Sequence, residues 1–150
     1  MVEWQESLIN EAPERELAQK ILYAIQLLLD NDAALLVRDV NERTISGRLS
    51  DYLRPQFPGW DIDCEYNRDD HMVKKIDGHV VVPDIIVHHR GTSDNLLVIE
   101  VKKSNTREPD EGDLEKLYTF RNSHLRYQHA LFVKLLVGEG APGVTRFQWV

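Results

Sequence analysis

The run Leu96-Leu97-Val98-Ile99-Glu100-Val101-Lys102 constrains this chain more than any other segment. Its apolar start leaves no polar face, which predicts a central strand covered on both sides. Glu100 and Lys102 then follow two residues apart, so they share one face of that strand. A carboxylate and an ammonium on a buried strand are unfavourable unless they are paired, metal-bound or open to a cleft. An ordinary ion pair at the strand end is one reading, since Lys103, Ser104 and Asn105 follow at once.

The β-rich segment before it, Val80 to His88, is interrupted by Pro83 and carries Asp84 directly after the proline. Proline suits an edge or a strand start. If the two strands form a hairpin with its turn near residue 92, Asp84 falls opposite Glu100. Gly91-Thr92-Ser93-Asp94-Asn95 has turn composition at that point. Turn composition and spacing together predict two carboxylates close enough to share an ion. Asp84 as a mere turn residue is the plainer alternative.

The surrounding pattern places these strands in an α/β domain. Pro13 suits a first helical turn, and Leu17, Ile21, Leu22, Ile25, Leu28 and Leu29 recur at helical spacing until Asn31-Asp32. A second helix is predicted from about Asp39 to Leu53, ending before Pro55, with Ile45, Leu49, Tyr52 and Leu53 apolar. Glu42 lies three and seven residues before Ile45 and Leu49, so it shares their inward face. As a first-turn acid, it is also favoured by the helix dipole alone.

Trp60 to Tyr66 alternates apolar and acidic residues as a half-buried strand does, and Asn67 to Asp70 reads as a turn. A third helix is predicted over 112–125 with Leu114, Leu117, Tyr118 and Phe120 inward. Strands over 130–137 and 144–150 follow as a hairpin across Gly138 to Gly143. The order helix, helix, three strands, helix, two strands predicts a mixed sheet flanked by helices.

Two carboxylates beside a lysine suit phosphodiester chemistry with a hard cation. Mg²⁺ or Mn²⁺ takes oxygen ligands, polarises a phosphoryl oxygen and acidifies bound water. A lysine alongside can orient that water or stabilise the developing charge.

Pro83-Asp84 followed by Glu100-Val101-Lys102 resembles the PD-(D/E)XK motif of the restriction-endonuclease-like nucleases. The helix bearing Glu42, three strands, a helix and a strand is similar to that family's core order, over residues 39–137. The resemblance implies a restriction-endonuclease-like core and a metal-dependent nuclease acting on nucleic acid, with DNA the expected substrate. It implies Asp84 and Glu100 as ligands of Mg²⁺ or Mn²⁺ and Lys102 as the catalytic lysine. Glu42 matches the helix glutamate of many members and would join the metal site. The expected organisation is one domain, with residues 1–38 a helical extension and 138–150 a C-terminal strand. A homodimer would let a small domain cut both strands of a duplex.

Charge bears on the partner. The net charge is −7, yet residues 1–70 carry 15 acids against 7 bases, while residues 71–150 carry 10 against 11 and all 6 histidines. The acidic half can face solvent, or a basic protein partner, while the other half meets a polyanion. The balance predicts weak non-specific affinity for nucleic acid. It also keeps open a rival reading, a non-catalytic binding or scaffold subunit of a defence or toxin–antitoxin assembly. A small phosphorylated metabolite is disfavoured as substrate by the lack of a glycine-rich phosphate loop.

No apolar run approaches membrane-span length, the N-terminus has no signal-peptide pattern, and Cys64 is the only cysteine. A cytoplasmic protein with no membrane association is expected, with Cys64 a core thiol. His88 shares a face with Asp84 and reads either as a phosphate contact or, preferably, as a solvated strand end. Glu65 faces either the cleft or water. Asp113 and Lys116 read as a surface pair. Lys102, Lys103, Arg107, Lys116, Arg121 and Arg126 form either a phosphate track or a plain solvated face.

Overall fold

A computed structural model of the chain describes residues 2–66, 68–69, 72–73, 75–76 and 79–150. The fold is α/β, an open five-stranded mixed sheet with helices on both faces. The strands are β1 (Asp61–Cys64), β2 (Ile85–His88), β3 (Asn95–Lys103), β4 (His129–Leu136) and β5 (Gly143–Trp149). They lie side by side in that order. All neighbours run antiparallel except β3 and β4, which are parallel and joined through a helix. Between β1 and β2, Arg68–Asp69 pairs with Met72–Val73 and Lys75–Ile76 with His79–Val80 as two short ribbons. The turn expected over residues 67–70 is thus replaced in part by a strand, and its ends, Asn67 and Asp70, lie outside the described residues.

The helices are α1 (Glu3–Asn10), α2 (Arg15–Asn31), α3 (Ala33–Val37), α4 (Glu42–Leu53) and α5 (Asp110–Asn122). Pro13 precedes α2 rather than opening it, because Glu14 is extended at the N-cap. The second predicted helix starts at Glu42, not Asp39. Asp39 has a left-handed backbone (φ 55°), and the Asn41 side chain accepts a 2.8 Å hydrogen bond from the Thr44 amide, which caps α4 there.

Two apolar layers sandwich the sheet. On one face, Leu17, Ile21, Leu28, Ile45 and Leu49 pack with Ile85, Val87, Leu97, Ile99, Val101, Leu131 and Val133. Residues 1–38 are therefore not an appendage: α1 and α2 complete this layer, and Trp149 Nε1 donates to Leu8 O at 3.0 Å. On the other face, Leu117 and Phe120 of α5 cover Ile86, Val98, Ala130 and Phe132. Tyr118, expected inward, is instead 62% exposed. No helix among the described residues is long and apolar enough to cross a membrane.

Candidate active site

The alternation that buries Ile86, Val98 and Phe132 beneath α5 also sends Asp84, Glu100 and Lys102 to that face. The β2–β3 register pairs Ile85 with Ile99, so the next step places Asp84 at the level of Glu100. The reversal lies where predicted, with His89 N donating to Asp94 O at 3.0 Å and Thr92 N to His89 O at 3.2 Å. A register shift at Val87/His88 falls on the turn side and leaves the Asp84 end in step.

The two acids meet. Asp84 Oδ2 accepts a 2.8 Å hydrogen bond from the Val101 amide, and its carboxylate lies close enough to Glu100 to act on it electrostatically. Glu100 is 2% exposed. Burial raises its carboxyl well above the ordinary glutamate range, Asp84 raises it further, and Lys116 opposes both.

Lys116 Nζ stands 3.0 Å from Glu100 Oε1 as an ion pair, yet that buried oxygen has no partner in hydrogen-bond geometry. An all-oxygen donor pair is the ligand chemistry that a hard divalent cation takes. Among the described residues, no three His, Cys, Asp or Glu side chains are grouped so as to hold a metal ion. The acids brought together are therefore two, Asp84 and Glu100.

Glu42 comes near without joining them. It is half-buried at the start of α4, on the opposite layer, and its Oε2 accepts from the Lys103 amide at 3.3 Å. Burial raises its carboxyl, and Asp84 and Asp113 add to the rise, so it shares their field. Asp39 locks the same corner, accepting from Lys103 Nζ at 2.9 Å and from Asn105 Nδ2 at 2.6 Å.

Lys102 departs from the expected picture. It is buried, and its Nζ donates to Pro109 O at 2.8 Å and to Asp113 Oδ2 at 2.9 Å rather than standing free beside Glu100. The register explains this. Lys102, Lys134 and Arg146 are successive cross-strand neighbours, a row of like charges that needs counter-ions. Asp110 supplies one, 3.1 Å from Lys134 Nζ and 2.7 Å from Arg146 Nη1, and Asp113 supplies the other. Both acids sit in the first turn of α5, where the helix dipole also favours them.

Asp113 and Lys116, expected as a surface pair, instead turn to the sheet, where Asp113 pairs with Lys102 and Lys116 with Glu100. The signal was in the sequence: positions 113, 116, 117 and 120 form one helical stripe, and Leu117 and Phe120 mark it as the inner one. Reading Tyr118 as inward turned that stripe away from the sheet. His88 is not a solvated strand end. It is 3% exposed, and its Nε2 lies 2.7 Å from Asp63 Oδ2, which Arg90 also binds. Burial pushes Asp63 up, but Arg90 and His88 outweigh it and hold the carboxyl low. Glu65 pairs with Arg43 at 3.0 Å on the exposed side, and Cys64 is only half-buried. A cleft of about 530 Å³ between α1 and β5, lined by Trp4, Ser7 and Phe147, lies apart from the carboxylate pair.

The chain matches no family model, and neither curated proteins nor solved structures give a match.

Proposed function

We propose that this chain is a divalent-metal-dependent nuclease of the restriction-endonuclease-like class, with DNA as its substrate. The observation that carries the proposal is the meeting of Asp84 and Glu100 beneath α5, two carboxyls brought to one level by the β2–β3 register. The order α4, the antiparallel β1–β2–β3 run, α5 and the parallel strand β4 supports the same reading of the fold.

Ionised, Asp84 and Glu100 would present two anionic oxygen donors to Mg²⁺ or Mn²⁺. The bound cation would supply Lewis acidity to the phosphodiester and a more acidic water. The chain's own residues do the rest. Val101 N–H fixes Asp84, Lys103 N–H fixes Glu42 at the edge of the site, and α5 excludes water from Glu100. A cation ligated here binds with release of a proton.

A non-catalytic binding or scaffold subunit is the second reading. It is favoured by the engagement of Lys102 with Asp113 and Pro109 and by the burial of Glu100. Digestion of single-stranded, duplex and branched DNA in Mg²⁺ or Mn²⁺ separates the two. Metal-dependent cleavage supports the nuclease, and intact DNA on every substrate leaves the scaffold.

A further inference from the structure

We propose that Lys116, carried by α5, is the lysine that acts at the Asp84–Glu100 site. This rests on the nuclease reading above and specifies which cation of the chain serves it. The motif lysine Lys102 has three oxygens around it: Pro109 O, Asp113 Oδ2 and, at 3.7 Å, Asp110 Oδ1. All three come from the start of α5, and the Lys102 side chain is 4% exposed. To reach a phosphate it must abandon these partners and leave Asp113 without its 2.9 Å ion pair.

Lys116 has the opposite setting. It lies one helical turn further along α5 from Asp113, its side chain is 31% exposed, and its Nζ stands 3.0 Å from Glu100 Oε1. Its ammonium pairs with Glu100 and lies 6.0 Å from the centroid of the Phe120 ring on the same helix. Its ammonium therefore already occupies the place beside the reactive carboxylate where a phosphate oxygen would arrive. When Glu100 turns its charge to a bound cation, the ammonium remains at the rim and can meet charge building on the non-bridging phosphate oxygens.

The arrangement makes two separable statements. Lys116 contributes charge to the reacting phosphate, and it is not needed to hold the metal. Lys116→Met keeps the stem and removes the charge at a partly exposed position. The test measures single-turnover cleavage of a labelled DNA oligonucleotide and calorimetric Mn²⁺ binding for wild type, Lys116→Met and Lys116→Arg.

The expected result is a loss of about 100-fold in the cleavage rate for Lys116→Met. The Arg variant, which keeps the charge, is expected to recover at least about tenfold of it. Mn²⁺ should bind Lys116→Met at least as tightly as wild type, because a competing positive charge has gone. A Met variant that cuts at the wild-type rate, equal losses in Met and Arg, or weakened Mn²⁺ binding would each overturn the proposal. Wild type that cuts nothing overturns the nuclease reading as well, whereas active wild type with an unimpaired Met variant overturns this inference alone.

Discussion

Asp84 Oδ2 accepts the amide hydrogen of Val101 at 2.8 Å, which ties the residue after Pro83 to the strand that carries Glu100. This bond holds two acids together that would otherwise repel, and the burial of Glu100 does the rest. The expected behaviour of the protein follows from that pairing.

Stability should fall as pH rises in the absence of metal. The folded state holds the Glu100 proton more tightly than the unfolded chain does, since burial and Asp84 raise the carboxyl. Stability from this group is full below its unfolded value of about 4.3 and is lost as pH climbs through the raised folded value. Glu42, raised for the same first reason, adds to the slope. Melting curves in chelator should show wild type losing stability as pH rises above about 4.3, and Glu100→Gln losing less.

Lys102→Met should destabilise the fold. The substitution leaves Asp113 without its 2.9 Å partner and strips a donor from Pro109 O at the entrance to α5. Losing a hydrogen bond to a charged group at a partly exposed acid costs about 2 kcal/mol. Urea denaturation at neutral pH measures it, and an unchanged midpoint would mean that Lys102 does not fasten α5.

Glu42→Gln should spare the fold and weaken the metal. The amide side chain can still accept from Lys103 N, so the urea midpoint should stay within about 0.5 kcal/mol of wild type. Mn²⁺ affinity should fall about tenfold or more, as when a group supporting metal ligands is altered. Calorimetry reads both the affinity and its loss.

The hairpin and its register were legible in the sequence, because a turn centred near residue 92 and the spacing of Asp84 and Glu100 are the same arithmetic. The central strand was legible too, since its apolar run admits no solvent face. What stayed hidden needed the third dimension. The caps at Glu14 and Asn41 depend on backbone angles that composition does not announce. The destination of Lys102 depends on β3 and β4 being parallel and in register, which sets Lys102 beside Lys134 and calls Asp110 and Asp113 down from α5. The helical stripe through Asp113, Lys116, Leu117 and Phe120 was present but was masked by Tyr118, an aromatic that points to solvent.

Binding of Mn²⁺ should release a proton. Burial and the nearby Asp84 favour the protonated form of Glu100 in the metal-free state, and ligation favours the ionised one. Titrations in two buffers of different ionisation enthalpy should give apparent heats that differ in proportion to that enthalpy. Identical heats would show that no proton leaves.

The decisive measurement is a calorimetric Mn²⁺ titration of wild type beside Asp84→Asn. The Asn side chain still offers an oxygen to the Val101 amide but lacks the charge. Wild type should bind the ion at a single site, and Asp84→Asn should show no saturable heat. Wild type without saturable binding, or an Asp84→Asn variant that binds as wild type does, would contradict a metal site at Asp84 and Glu100.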